Sequence, residues 1–342
     1  MHTIDLKNFN IRTDLIIDEV SSSTQEINKT TVYGDIVVDE VDLTDENKHL
    51  FNKKKGHYKT ISFKDITDKD NYKKVEKIFI ETLKKLLKEI NIKEDDSCLI
   101  IGLGNDKSTP DSLGPKTIEN ILVTNHLFSL GEVEEGYRKT ASFKPNVTGT
   151  TGIETKEVIV SLVNTVKPNF LIVIDALASS SINRLNTTIQ ITDSGINPGS
   201  GIGNNRKELS YDTLNIPVIA IGIPTVVDAT TIVNDTFNYM LKQISFNIDN
   251  RNNKKLKLVP DNMKDYSNHP NTLSQEDKEK VLGYIGTLNE DEFKKLIYEV
   301  LVPINSNLMV TPKEVDFVID KLSLLLAKGI NKTLHKRFNP TN

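Results

Sequence analysis

Two aspartates follow short apolar runs of the sequence, and their carboxylates could act together in catalysis. Asp111 comes shortly after the run 98–104, and Asp175 directly follows the run 170–174. Continuous runs of Ile, Leu and Val are typical of central strands in parallel sheets, whose carboxyl ends form the edge where ligands bind. We therefore expect both carboxylates at one working edge of a sheet.

Two carboxylates at such an edge are compatible with more than one reaction. When they lie close together, repulsion raises one pKa, so that one acid stays protonated while the other activates a water, as in a hydrolase. The same pair could hold a divalent cation that activates a bound water, although no third protein ligand is evident. The structural alternatives are a helix cap for Asp111 and a capped strand end for Asp175.

A glycine-rich segment over residues 193–206 follows a predicted strand and would lie near the same edge. Gly199, Gly201 and Gly203 would let backbone N–H groups approach a ligand, for example as an oxyanion site. The alternative is a flexible turn, and the residues alone favour neither interpretation.

Other catalytic signatures are missing from the sequence. It contains no Gly-x-Ser-x-Gly nucleophile motif, no phosphate-binding loop ending in Gly-Lys-Ser/Thr and no His-Glu-x-x-His zinc motif. Gly102 and Gly104 could begin a dinucleotide-binding fingerprint, but Lys107 stands where the third glycine is required. We therefore predict neither a cofactor nor a bound metal.

The composition points to a cytoplasmic globular protein. The chain has 342 residues, of which 37% are hydrophobic, and a net charge of −4 that makes direct nucleic-acid binding unexpected. Its single cysteine, Cys98, excludes an internal disulfide and fits a reducing compartment. We expect no membrane contact, since the amino terminus lacks signal-peptide features and no apolar run approaches about 18 residues.

The predicted elements indicate an α/β fold, a three-layer sandwich with a mostly parallel central sheet. An amphipathic helix is predicted over residues 72–90 from its three- and four-residue apolar steps. Polar and apolar residues alternate over 187–192, which favours an edge or antiparallel strand. The other predicted elements are strands 98–103, 169–174 and 217–223 and helices 112–129, 152–166, 226–244, 275–282, 291–301 and 312–334.

Five segments together resemble the spore germination protease family: residues 102–115, 149–155, 174–178, 193–204 and 219–229. The resemblance runs from about residue 11 and resumes at 283–287 and 307–315. It implies a fold similar to that of hydrogenase maturation proteases. It also implies an endopeptidase that degrades the small acid-soluble proteins coating spore DNA during germination, within the developing spore and the spore core.

The resemblance also implies particular residues. The family is described as an atypical aspartic-type peptidase with two essential aspartates, and the matching positions are Asp111 and Asp175. Its members are homotetramers made as zymogens, and they cleave themselves between an acidic and a hydrophobic residue. Asp14 and Leu15 match that pattern, so cleavage between them is expected.

An acidic residue before the scissile bond calls for a cation in its subsite. Arg184, Arg206 and Lys207 are candidates, each with the alternative of a solvated surface charge. The segment 144–148 departs from the family pattern, which puts substrate preference in question more than catalysis.

The predicted organisation is a propeptide at 1–14, an α/β peptidase domain at 15–245, a polar excursion or linker at 246–274 and a helical carboxyl-terminal extension at 275–342. Two rival functions remain. One is a metal-assisted maturation peptidase, and the other is a non-catalytic protein that binds the DNA-coating spore proteins.

Overall fold

A computed structural model describes residues 13–20, 24–131, 133–198, 208–253, 259–260, 266, 269–301 and 308–338. The described chain divides into two units. The larger contains residues 13–179, 183–227 and 311–338, and the smaller contains residues 180–182 and 228–310, with the gaps given above.

The larger unit is built on a sheet whose strands lie in the order β1-β2-β3-β7-β8-β6-β4-β5. The strands are β1 (Asn28–Tyr33), β2 (Ile36–Leu43), β3 (Gly56–Ser62), β4 (Cys98–Gly102), β5 (Thr140–Phe143), β6 (Phe170–Ser179), β7 (Thr188–Thr192) and β8 (Val218–Asp228); the short strand β9 (Met309–Val310) belongs to the smaller unit. The pairs β8–β6, β6–β4 and β4–β5 are parallel. The pairs β1–β2, β2–β3, β3–β7 and β7–β8 are antiparallel.

The α/β class is confirmed, but the sheet is mixed rather than mostly parallel. Strands β4, β6 and β8 are parallel as predicted, whereas β1, β2, β3 and β7 extend the sheet as antiparallel neighbours. The prediction of an antiparallel strand at 187–192 is confirmed in direction. An edge position is wrong, because β7 lies between β3 and β8 and is buried throughout.

The helices are α1 (Lys69–Glu89), α2 (Leu113–Ile118), α3 (Asn125–Leu130), α4 (Thr148–Thr151), α5 (Thr155–Val166), α6 (Tyr211–Leu214), α7 (Ala229–Asp249), α8 (Gln275–Leu282), α9 (Tyr284–Thr287), α10 (Glu290–Leu301) and α11 (Val315–Leu334). The predicted helix over 112–129 is therefore two short helices. Thr124 interrupts it because its N–H donates to the carbonyl of Thr140 on β5, which ties the chain to the sheet there.

Apolar side chains from both faces of the sheet enter separate cores, which confirms the three layers. One core joins the even-numbered residues of β4 and β6, such as Ile100 and Ile172, to α1 and α11. The other joins the odd-numbered residues of the same two strands, such as Leu99 and Leu171, to α5. Alternate strand residues point to opposite faces, so two-sided burial explains the continuous apolar runs in the sequence.

The carboxyl-terminal helices do not form one extension. Leu322, Leu325 and Leu326 of α11 are fully buried in the core shared with α1, so α11 is part of the larger unit. Helices α7 to α10 belong to the smaller unit, where the rings of Phe237 and Phe293 lie 4.1 Å apart. Among the described residues, none of these helices has the length and apolar character needed to cross a membrane.

Candidate active site

Asp175 lies in the interior of β6, four residues before the end of the strand. The expectation that it follows the strand is wrong, because β6 continues to pair with β8 up to Ser179. Its side chain is only 5% exposed, and Oδ1 accepts a hydrogen bond from the N–H of Ala176 at 2.9 Å. A carboxylate held this far inside a sheet is exceptional, since such groups are rarely fully buried unless they are paired.

Asp175 has a polar neighbour two strands away. Its register partner on β8 is Gly222, and the partner of Gly222 on β7 is Gln190. Laterally paired residues point to the same face of a sheet, so Asp175 and Gln190 share the α5 face with only a glycine between them. This row of three residues is called the Asp175 row below.

Asp111 is held beside the carboxyl-terminal half of β6 by backbone contacts. It ends a 3₁₀ turn at Thr109–Asp111 that contacts β6. Its N–H donates to Ser108 at 2.8 Å, and its carbonyl accepts from Asn105 at 2.9 Å. Gly104 has a φ of +110°, and a Cβ there would lie 2.0 Å from the Asp111 carbonyl oxygen, so this close approach requires glycine.

A second strand also anchors the Asp111 turn. The hydroxyl of Thr225 on β8 donates to the carbonyl of Pro110 at 2.7 Å. Helix α2 begins at Leu113 with Ser112 as its N-cap, so Asp111 does not cap that helix. The turn that carries Asp111 and the strand that carries Asp175 therefore both contact β8.

Residues 13–18, called the docking segment below, lie against this region. The N–H of Asp14 donates to the carbonyl of Ala178 at 3.0 Å, and Asp14 Oδ2 accepts from the Ala178 N–H at 2.8 Å. The carbonyl oxygen of Asp14 accepts from Gln190 Nε2 at 3.1 Å, and the N–H of Ile16 donates to Gln190 Oε1 at 2.7 Å. The Asp14–Leu15 peptide is thus held between β6 and β7, with β8 between those strands.

Apolar burial fixes the docking segment immediately after Asp14. Leu15 and Ile16 are both 0% exposed, and Leu15 packs with Ile17 and Leu177. Leu177 also fills the space over Gly222, because a Cβ added at position 222 would lie 2.4 Å from the Cγ of Leu177. Glycine at position 222 therefore makes room for the surface on which Leu15 rests.

Charged groups close the other side of the docking segment. Asp18, whose side chain is 2% exposed, accepts from Arg184 Nε at 2.6 Å, from the Ser179 hydroxyl at 3.0 Å and from the Thr13 hydroxyl at 2.6 Å. Lys53 Nζ donates to the Thr13 carbonyl at 2.6 Å. Arg184, expected to bind an acidic side chain before a scissile bond, is paired here with Asp18 instead.

Several predicted site residues lie outside the described part of the chain, namely Gly199, Gly201, Gly203, Arg206 and Lys207. Gln190 was not predicted as a site residue, although a lone glutamine between Ile189 and Ile191 in a buried strand was a usable signal. Among the described residues, no group of three or more His, Cys, Asp or Glu side chains is arranged to hold a metal ion.

A family model described as germination protease matches residues 5–342 of the chain. The chain belongs to the germination protease family. The germination protease of Bacillus subtilis (strain 168) is 45% identical over 359 residues, which cover 99% of this chain and 97% of the relative. That of Priestia megaterium is 42% identical over 360 residues, with the same two coverages. As a member of this family the chain is a peptidase, and therefore a hydrolase.

One solved structure also matches part of the germination protease chain. It is a NiFe hydrogenase maturation protease, HycI, from Thermococcus kodakarensis KOD1, with a TM-score of 0.29 and 17% identity. The match covers 42% of this chain and 80% of the other. A TM-score at that level supports no conclusion about the site.

Proposed function

We propose that this germination protease is a zymogen that cleaves its own Asp14–Leu15 bond with Asp111 and Asp175 as its two catalytic carboxylates. The observation that carries the proposal is the position of that peptide. Its carbonyl is bound by Gln190 of the Asp175 row, and Asp14 is paired with Ala178, three residues beyond Asp175 on the same strand. The bond expected to break is therefore bound by the strand that carries Asp175 and by the residue at the other end of its row.

The proposed reaction is hydrolysis through a bound water. One carboxylate removes a proton from the water as its oxygen adds to the carbonyl carbon of Asp14. The other, protonated, carboxyl gives its proton to the nitrogen of Leu15 as the C–N bond breaks. The products are a new carboxylic acid group on Asp14, which then ionises by releasing its proton to water, and a new amino group on Leu15. The two aspartates have exchanged protonation states.

The contacts of the docking segment support a preference for an acidic residue followed by a hydrophobic one. The Asp14 carboxylate accepts a backbone N–H from Ala178, and the Leu15 side chain is fully buried against Leu177. Once residues 1–14 have left, the acidic residue of a substrate could make the contact that Asp14 makes with Ala178. Burial of Leu15 alone contributes roughly 1.5–3 kcal/mol, because it removes a whole leucine side chain from water.

The proposed substrates in trans are the small acid-soluble proteins that coat DNA in the developing spore and spore core, degraded by a homotetramer during germination. The support is the membership of this chain in a family whose relatives are germination proteases. Incubation with such proteins, followed by identification of the cut sites, tests the substrate. Analytical ultracentrifugation tests the tetramer.

Self-cleavage is tested by intact-mass spectrometry of purified wild type, Asp111→Asn and Asp175→Asn over a range of pH. We expect loss of residues 1–14 from wild type and at least about 100-fold slower loss from either variant, since each substitution removes a general acid or base. Asp70→Asn is the matched control, because Asp70 is an exposed residue in the first turn of α1. Equal processing in all four proteins would contradict the proposal.

A further inference from the structure

Gln190 is almost completely buried and uses its whole amide group on the docking segment. It is 5% exposed and stands in β7 between Ile189 and Ile191, which point to the opposite face. Within the described residues, its Nε2 donates to the Asp14 carbonyl at 3.1 Å and its Oε1 accepts from the Ile16 N–H at 2.7 Å. A buried amide normally serves the core around it, whereas this one serves a single incoming peptide.

The spacing of the Asp175 row suits a peptide bound between its two polar ends. Asp175 and Gln190 are separated by two strand spacings, or about 10 Å between their backbones. Gly222 adds no side chain between them, and Leu177 fills the space over it. The carboxylate at one end of the row and the amide N–H at the other therefore flank the Leu177 surface on which Leu15 packs.

When a water adds to a peptide carbonyl, the negative charge develops on the carbonyl oxygen. A preorganised N–H donor aimed at that oxygen, in a site from which water is excluded, is worth about 100- to 1,000-fold in rate. Gln190 Nε2 already occupies the donor position toward the Asp14 oxygen, and both Leu15 and Ile16 beside it are fully buried.

We infer that Gln190 is a further catalytic residue, whose Nε2–H binds the scissile carbonyl oxygen and stabilises the charge on it as water adds. This inference rests on the proposed function and adds to it. No bond to Gln190 forms or breaks, and its amide keeps its protons throughout. The Oε1 atom holds the following residue by its N–H, so the same side chain fixes the peptide on both sides of Leu15.

The decisive variant is Gln190→Glu, which is nearly isosteric. It keeps an oxygen acceptor for the Ile16 N–H and loses the donor to the Asp14 oxygen. We expect self-cleavage to slow by about 100-fold near neutral pH, where the glutamate is ionised. As the pH falls and the glutamate gains a proton, it can donate again, so the rate relative to wild type at the same pH should recover. A merely structural role predicts no such recovery.

Gln190→Met removes both hydrogen-bonding atoms while conserving volume, so it should be slow at every pH. Gln243→Glu is the matched control, because Gln243 is exposed on α7 and should leave the rate unchanged. With a peptide substrate in trans, Gln190→Glu should lower kcat and leave KM nearly unchanged, since the contact strengthens only in the transition state. A rise in KM at constant kcat would mean that Gln190 only binds the peptide, which would overturn the inference.

The two proposals fail in different ways. Gln190→Glu processing within about threefold of wild type at every pH, while Asp175→Asn is blocked, would overturn the inference alone. Normal processing in Asp111→Asn and Asp175→Asn would overturn the proposed carboxylate mechanism. If wild type never loses residues 1–14 at any pH, both fall.

Discussion

The docking segment and helix α11 lie near opposite ends of the chain and pack on opposite faces of the same sheet, but different contacts hold them. Helix α11 places a long apolar stripe in the core that it shares with α1. The docking segment buries Leu15, Ile16 and Ile17, and its peptide groups at Asp14 and Ile16 bind Gln190 and Ala178. Helix α11 is therefore held by its side chains, whereas the docking segment is held both by buried side chains and by hydrogen bonds to its backbone.

The difference between these two kinds of anchoring indicates where the chain can be cut without unfolding the protein. Backbone hydrogen bonds can be exchanged for bonds to water at a net cost of about 0.5–1.5 kcal/mol each, whereas removal of large core side chains costs several times more. In the docking segment the change from polar to apolar anchoring falls between Asp14 and Leu15. A cut at that bond would release Thr13 and Asp14, which are held by hydrogen bonds, and leave the buried residues after them in place.

The largest expected effect compares one leucine from each region. Leu322→Ala in α11 should lower the free energy of unfolding by about 2–5 kcal/mol, because Leu322 is fully buried in the main core. Leu15→Ala should cost less, since Leu15 belongs to a small cluster that can collapse around the cavity. Urea unfolding measures both changes. Equal losses would show that the two ends are anchored alike.

Low pH should lower the free energy of unfolding through a residue at the end of α11. His335, which follows α11, is fully buried, and this burial lowers its pKa to about 4, while its Nδ1 accepts the N–H of Arg138 at 3.1 Å. In the unfolded chain the His335 imidazole has its ordinary pKa of 6.5. Between about pH 6.5 and 4 the unfolded chain therefore holds more protons at this residue than the folded chain does. Stability should therefore fall as the pH is lowered through that window, by up to roughly 3 kcal/mol.

This pH dependence can be assigned to one residue. His335→Asn keeps a possible acceptor for Arg138 but does not titrate, so its unfolding free energy should vary less between pH 6.5 and 4 than that of wild type. His126→Asn is the control, because His126 is exposed on α3. A slope that persists unchanged in His335→Asn would assign the acid sensitivity to another group.

The smallest expected effect concerns the charge that holds the docking segment. Arg184→Gln removes the ion pair with Asp18 and leaves a carboxylate whose side chain is 2% exposed with fewer donors. We expect a loss of about 1–2 kcal/mol in stability. If Arg184 acts only through Asp18, the preference for an acidic residue before the cut should be unchanged in a peptide library. Loss of that preference in Arg184→Gln would show that Arg184 binds the acidic side chain of the substrate.

Much of the fold could be predicted from local sequence patterns. The amphipathic helix expected over 72–90 is α1, and the apolar runs at 98–103 and 169–174 are β4 and the first half of β6. These predictions are correct because helical periodicity and continuous apolar runs both follow from burial of the side chains. Element ends were less predictable. Strand β6 continues past Asp175 because β8 pairs with it there, which no local pattern at Asp175 indicates.

Residue types and local patterns alone indicate the α/β class, the two aspartates on apolar runs and the acidic–hydrophobic pair at Asp14 and Leu15. The folded chain was needed to show that α11 completes the main core, that Gln190 shares a row with Asp175 and that the Asp14–Leu15 peptide is docked between their strands. The physical reason is that residue type and spacing encode local burial, whereas lateral register joins residues far apart in the chain. Asp14 and Gln190 are 176 residues apart, and only the packing of the docking segment against β6 and β7 brings them within hydrogen-bonding distance.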